Sequence, residues 1–185
     1  PVINAGDSWH AHPTQALIDA YVLRKHFGHL EGVKVAICGD IAHSRVARSN
    51  VELLGRFGVR LHLIAPPALA PDPNAFGKAD IAVFEDLDEG LRGVDAVMAL
   101  RLQKERMKAG LVPDTATFFA EYGLTHERLS ASCPNAVVLH PGPMNRDIEI
   151  DSALADDPAK SLILKQAAAG VPVRMAILDH VLTRL

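Results

Sequence analysis

Val33-Lys34-Val35-Ala36-Ile37-Cys38-Gly39 is a short, nearly continuous apolar run that stops at a glycine. Such a run is the signature of a strand buried on both faces of a parallel sheet. The next stretch changes period: Ser44 is placed to cap a helix in which Ala47, Val51, Leu54 and Phe57 recur at helical spacing. Val59 to Ala65 repeats the strand signature, and Pro66, Pro67, Pro71 and Pro73 mark a connection. Ile81 to Phe84 is a third strand, followed by a short helix over roughly Leu87 to Leu91; Val94 to Leu100 is a fourth strand and Ala136 to Leu139 a fifth. Strands alternating with helices predict an α/β fold, a doubly wound and mostly parallel sheet covered on both faces. Helices flank it at both ends of the sequence: one after Pro13 to about Lys25, and one over Ala159 to Leu185 with an interruption expected around Gly170 and Pro172. There is no internal repeat and no low-complexity tract.

The 185 residues suffice for one domain, or one domain plus part of another. Hydrophobic residues at 49% and charged residues at 22% describe an ordinary globular chain. A formal charge of −3 lacks the basic excess of a nucleic-acid binder. Anion binding must therefore come from a few placed arginines. Two cysteines, Cys38 and Cys133, are too few for a disulfide scaffold, and Cys38 reads as a buried reduced thiol. No apolar stretch approaches a membrane span and no leader pattern is visible, which predicts a cytoplasmic protein. The first residue is Pro1 rather than methionine, so the start is expected to be a processing or cut boundary.

His12-Pro13-Thr14-Gln15 puts an imidazole and a carboxamide three residues apart at a helix start. Pro13 suits the first helical position. His12 and Gln15 then project beside free N–H groups and the positive end of the helix dipole, a ready site for an anion with a polarisable carbonyl.

In an open α/β sheet, ligands bind beyond the carboxyl ends of the strands. The loop after the first strand, Gly39 to Asn50, lacks the G-x-G-x-x-G of a dinucleotide site, which weakens a Rossmann-type nucleotide-binding reading. It places Arg45 in a first helical turn, where it either receives a carboxylate or pairs at the surface with Asp40. After the fourth strand comes Arg101-Leu102-Gln103-Lys104-Glu105-Arg106. In extended backbone Arg101 and Gln103 point the same way, a carboxylate clamp beside an amide that Glu105 could steady; the alternative is a solvated charged loop. After the fifth strand comes His140-Pro141-Gly142-Pro143-Met144-Asn145-Arg146. Pro141 and Pro143 have no N–H, so this loop offers carbonyl acceptors, and Gly142 permits close approach; read alone it is a stiff turn. His10-Ala11-His12 lacks an acidic or cysteine partner at ligand spacing, so no metal is expected. Asp86, Asp88 and Glu89 read as a solvated helix face, Trp9, Phe118 and Phe119 as packing residues, and Arg174 as an inter-element ion pair.

Taken together, Val2-Ile3-Asn4-Ala5-Gly6-Asp7, His12 to Gln15, Gly39-Asp40 through Ser44-Arg45, Arg101 to Arg106 and His140 to Pro143 resemble the aspartate/ornithine carbamoyltransferase family, in family order over nearly the whole chain. The Arg-x-Gln at Arg101 to Gln103 and the loop at His140 to Pro143 look like the aspartate branch; the His-Cys-Leu-Pro loop usual in the ornithine branch is absent. The resemblance implies transfer of a carbamoyl group from carbamoyl phosphate to the amine of L-aspartate, in pyrimidine synthesis, with no metal or organic cofactor. It implies that His12 polarises the carbamoyl oxygen and Gln15 holds the carbamoyl amide. Arg45 and Arg101 clamp the aspartate carboxylates with Gln103 in support, and Gly142, Pro143 and the carbonyl of Pro141 contact carbamoyl phosphate.

The resemblance also carries departures. Family members have a carbamoyl-phosphate domain with a Ser-Thr-Arg-Thr loop, a further arginine, and a Ser/Lys loop lent by a neighbouring subunit, none of which these residues contain. Gly142 stands where some members carry leucine. The expected division is a remnant of that domain with its linking helix at 1–27, an aspartate-binding α/β domain at 28–159, and a returning helix at 160–185. The implied assembly is a homotrimer with shared sites, with room for a regulatory or dihydroorotase-like partner, and the chain alone is expected to be inactive or nearly so. Two rivals remain open: a carbamoyltransferase for another amine such as ornithine, and a non-catalytic binding or assembly module.

Overall fold

The computed structural model describes residues 2–8, 10–72, 76, 79–102 and 114–183. Its centre is a five-stranded parallel sheet: β1 (Lys34–Cys38), β2 (Arg60–Ile64), β3 (Ile81–Phe84), β4 (Ala96–Ala99) and β5 (Val137–Leu139). The spatial order is β3-β2-β1-β4-β5. All five expected strands are present, each the same as or slightly shorter than its apolar run, because the flanking residues turn out of the ladder.

The pleat divides the strand residues between two cores. Val35, Ile37, Leu61, Leu63, Met98 and Leu139 point to one face. There they meet α1 (Pro13–Phe27) and α2 (Arg45–Arg56) through Ile18, Leu23, Val51 and Leu54, together with Phe118 of α4 (Thr115–Tyr122). Ala36, Cys38, Ile64, Val97 and Val138 point to the other. That side is closed by α3 (Leu87–Gly90), α5 (His126–Ser132) and α6 (Ser152–Asp156) through Leu87, Leu129 and Leu154. Period-two alternation on a sheet covered on both faces puts both faces of the central strands in the core, while the edge strand β3 stays partly exposed. Cys38 and Cys133 are free and buried, and burial pushes the Cys38 thiol up to about 12.

Three helices escape the sequence reading: α4, α5 and α6. Each is short, and each begins on a side-chain cap, Asp114, Thr125 and Asp151 accepting from the backbone N–H groups that follow. Arg128 of α5 donates to the carbonyls of Ala120, Glu121 and Gly123, closing the end of α4. Asp86 is also a cap, accepting from Glu89 N–H, rather than only part of a solvated face.

The last helix departs from expectation. α7 runs unbroken from Ile163 to Leu182, through Gly170 and Pro172. Pro172 removes one bond to the carbonyl of Ala168, but both residues face solvent, where water satisfies that carbonyl. Arg174, expected to form an ion pair with another element, donates instead to the carbonyl of Gly170 in its own helix. α7 packs against α1, which packs against α2. No helix among the described residues is long and apolar enough to cross a membrane.

Candidate active site

The strand order reverses direction at β1: α2 leads from β1 to β2 on one side, and the chain later returns to place β4 on the other. Loops leaving β1 and β4 therefore diverge and leave a crevice at their carboxyl ends. A cleft of about 170 Å³ occupies it. Its walls come from four places: His12 and Gln15 at the start of α1, Ser44 and Arg45 after β1, Leu100 and Arg101 after β4, and His140 to Pro143 after β5. These are the predicted site residues with one exception. Gln103 lies outside the described residues, as do Trp9, Lys104, Glu105 and Arg106.

His12 is the residue preceding α1, with Pro13 in the first helical position as expected. The first turn is less open than the sequence suggests. Pro13 has no N–H, and the N–H groups of Gln15 and Ala16 are both taken by the His12 carbonyl. What points at a ligand here is the side-chain pair rather than a row of free amides. The His12 backbone N–H donates to Ser49 Oγ of α2 at 2.9 Å, pinning the start of α1 to the neighbouring helix. Thr14 Oγ1 lies 3.4 Å from His12 Nδ1, which lets the hydroxyl donate to that nitrogen and leaves an Nε2–H donor for a carbonyl oxygen.

Burial, then the charges of Arg45 and Arg174, hold the His12 ring below its ordinary value of 6.5. At pH 7 it is neutral. A ring with a lowered folded pKa binds fewer protons folded than unfolded. Its neutral form therefore contributes stability above pH 6.5 that is lost as pH falls through the folded value. Titrated by NMR, the ring protons of His12 have a midpoint below 6.5; a midpoint at or above it removes the neutral-donor role.

Gln15 is held from behind. Its Nε2–H donates to Asp19 Oδ1 at 2.9 Å, one turn further along α1, which leaves the amide oxygen to face the cleft. Asp19 is fully buried and accepts two further amides, from Asn50 of α2 at 2.8 Å and from Gln166 of α7 at 2.8 Å. Burial pushes its carboxyl above the usual range, and the three amides pull the other way. No reading of the sequence singled out Asp19, Asn50 or Gln166. Asp19 lies four residues beyond Gln15 beside the apolar Ile18, and that i, i+4 spacing was the available signal.

Arg45 opens α2 behind the Ser44 cap. It does not pair with Asp40, whose carboxylate accepts from His43 Nδ1 at 2.8 Å. Its guanidinium lies against the backbone of Gly6, and Nη1 donates to the carbonyl of Ser8 at 3.2 Å, so the stretch before α1 steadies it. Arg101 stands half-buried in the cleft lining, just past the end of β4.

The loop after β5 is braced by its own histidine. The N–H of Gly142 donates to His140 Nδ1 at 2.9 Å, which assigns the ring proton to Nε2, and that proton goes to Glu149 Oε1 at 3.1 Å. His140 N–H donates to Gln166 Oε1 at 2.8 Å. Glu149, buried between Ile148 and Ile150, was also missed by the sequence reading. Gly142 has φ +72°, a left-handed conformation that disfavours the leucine some family members carry here. Arg146 turns away and makes a two-pronged ion pair with Asp156 at 2.7 Å. His10 lies 3.6 Å from Asp7 at the surface, and the described residues contain no cluster of three or more metal-ligating side chains.

A neutral imidazole, a carboxamide and two guanidiniums around one crevice suit a carbonyl compound and a carboxylate held side by side. The chain belongs to the aspartate/ornithine carbamoyltransferase family, whose Asp/Orn binding domain it matches over residues 31–181. Within that family it is similar to aspartate carbamoyltransferase catalytic subunits. It is 56% identical to that of Granulibacter bethesdensis over 178 residues, 96% of this chain and 56% of that one. It is 55% identical to that of Maricaulis maris, again over 96% of this chain and 55% of the relative. The chain thus spans little more than half the length of these relatives. Among solved structures it superposes on aspartate transcarbamoylase from Trypanosoma cruzi in complex with N-(phosphonacetyl)-L-aspartic acid with a TM-score of 0.84 at 29% identity, covering 96% of this chain and 58% of the other. Ornithine carbamoyltransferase from Gloeobacter violaceus gives 0.81 at 27% identity, covering 96% and 61%.

Proposed function

We propose that these residues form the aspartate-binding part of an aspartate carbamoyltransferase. The reaction moves the carbamoyl group of carbamoyl phosphate to L-aspartate, giving N-carbamoyl-L-aspartate and phosphate for pyrimidine (UMP) synthesis. The single observation that carries the reading is the convergence of His12, Gln15, Arg45 and Arg101 on one crevice with the His140 to Pro143 loop. The aspartate amine attacks the carbamoyl carbon, a C–N bond forms, and the C–O bond to phosphate breaks as the amine loses its proton. Negative charge builds on the carbonyl oxygen, and the neutral His12 ring is the donor suited to it. Gln15 offers its oxygen to the carbamoyl NH2, and the Pro141 carbonyl can accept from the same group. Arg45 and Arg101, both lining the cleft, receive the two carboxylates, with Gln103 in support by the resemblance alone. Holding both substrates in register supplies much of the remaining acceleration.

In this reading 28–159 is the aspartate-binding domain. The stretches 1–27 and 160–185 belong with a carbamoyl-phosphate domain, and the working enzyme is a trimer with shared sites. Leu164, Val171, Met175 and Leu178 are exposed on α7, an apolar surface consistent with such a neighbour. The test is carbamoylation of labelled aspartate by the 185-residue chain and by a hybrid joining it to the part of the Granulibacter relative it does not match. The hybrid is expected to turn over and to be inhibited by succinate, a dicarboxylate without the amine. The chain alone is expected to show at most a trace, because the phosphate-binding residues of the family are not among its own. Robust turnover by the short chain overturns that second expectation. Carbamoylation of ornithine in place of aspartate, or indifference to succinate, overturns the first.

A further inference from the structure

We infer that Asp19 is the positioning residue that sets the two walls of the cleft relative to each other. It does not line the cleft itself but bonds a residue that does. One of its oxygens, Oδ1, accepts from Gln15 at 2.9 Å and from Gln166 at 2.8 Å. Gln15 is one wall, and Gln166 uses its other end to accept from the backbone N–H of His140, the root of the opposite wall, at 2.8 Å. A single carboxylate oxygen thus fixes which way both carboxamides face. Through Gln15 it presents an amide oxygen to the cleft, and through Gln166 it sets the height of the loop whose carbonyls and Gly142 complete the rim.

The second oxygen, Oδ2, accepts from Asn50 at 2.8 Å. Asn50 sits on α2, the helix that starts with Arg45, next to Ser49, which accepts from His12 N–H. Asp19 and its three partners are all buried: Asp19 and Asn50 fully, Gln166 at 3% and Gln15 at 8% exposure. Water cannot replace a lost acceptor there at no cost, so each amide must find a partner by rotating or shifting its backbone. A purely structural carboxylate would not need to accept from a ligand-facing amide and from the amide that holds the opposing loop.

The inference rests on the proposed reading of the cleft, and its test separates the two. The probe is N-(phosphonacetyl)-L-aspartate, titrated calorimetrically against the hybrid described above and its variants, with unfolding measured alongside. Asp19→Ala is expected to weaken binding roughly 10- to 100-fold, the loss typical of unseating two buried hydrogen bonds. Asp19→Asn is expected to recover most of that loss. Its oxygen can still serve Gln15 and Gln166, and its NH2 can donate to Asn50 Oδ1, a buried oxygen without a partner among the described residues, once that amide turns. The deciding measurement is a cycle: in a Gln15→Ala/Gln166→Ala background, removing Asp19 is expected to change binding less than threefold while still lowering stability. Independently of any ligand, the side-chain amide signals of Gln15 and Gln166 shift together in Asp19→Asn. If the parent hybrid does not bind the probe even weakly, the reading of the cleft fails and this inference with it. If the parent binds and Asp19→Ala binds equally well, or if its loss persists in full in the double-alanine background, the cleft stands and the positioning role is overturned.

Discussion

Replacing Arg101 with alanine weakens binding of succinate and of N-(phosphonacetyl)-L-aspartate by roughly 100-fold, as does replacing Arg45. Both arginines are half-buried in the lining of the cleft, Arg45 at the start of α2 and Arg101 just past β4. A guanidinium offers a planar fork of donors that matches a carboxylate, and the walls shield the pair from bulk water. Removing one such partner costs about 3 kcal/mol, of which part is the penalty for leaving the ligand carboxylate desolvated and alone. Lysine keeps the charge but not the fork, so Arg101→Lys recovers only a fraction of the loss. Arg146 is the internal control. It has the same chemistry and a nearby position in sequence to the His140 loop, but it is committed to Asp156 and does not line the cleft. Arg146→Ala leaves ligand affinity within about threefold, since its loss is that of a surface ion pair. Calorimetric titration of the three alanine variants decides the matter: if Arg101→Ala and Arg146→Ala bind alike, the two-arginine clamp is wrong.

Gly39→Ala is expected to be strongly destabilising. Gly39 ends β1 with φ +118°, and a Cβ placed there would lie 2.6 Å from the carbonyl oxygen of Leu100. That oxygen is backbone and cannot swing aside. Leu100 itself donates to the Cys38 carbonyl at 2.8 Å, and Gly39 donates to Ile64 at 3.0 Å. Relief therefore means prising the end of β4 from β1, where the sheet is packed on both faces. Overpacking and the disfavoured backbone together cost about 3 kcal/mol, or a fall of roughly 6–12 °C in Tm. Because Arg101 follows Leu100 directly, the same displacement opens the cleft, and ligand affinity falls with stability. A variant that melts within 2 °C of the parent would show that the close approach is not a constraint.

The sheet was legible because its strands are short, mostly apolar runs separated by helical or turn-rich stretches, and a parallel sheet covered on both faces favours that composition. The short helices α4, α5 and α6 were not, since fewer than three turns cannot establish a helical period. Their caps at Asp114, Thr125 and Asp151 were the better signal. Pro172 misled for a local reason, because a break at a solvated helix face costs little. In the site, the cleft-lining residues at strand ends could be placed by topology alone. Their supports could not. Asp19, Asn50, Gln166 and Glu149 are buried polar residues whose partners are set by packing, and the Asp19–Gln166 pair is separated by 147 residues. The resemblance to a known family named residues that line the cleft, and the structure supplies the ones that stand behind them.

That separation has a bearing on when, rather than where, the cleft exists. Tying residue 19 to residue 166 closes a loop that includes every strand of the sheet. The entropy of such closure is recovered only by contacts made at the end, so the long-range pairing is among the slowest steps of assembly. A growing chain can lay down β1, α2 and β2 while Gln15 still lacks half of its setting. The rim at His140 takes its final height only after α7 has docked. Closure of the cleft is then expected late in folding, and the ligand titration proposed above would serve as a clock for its completion.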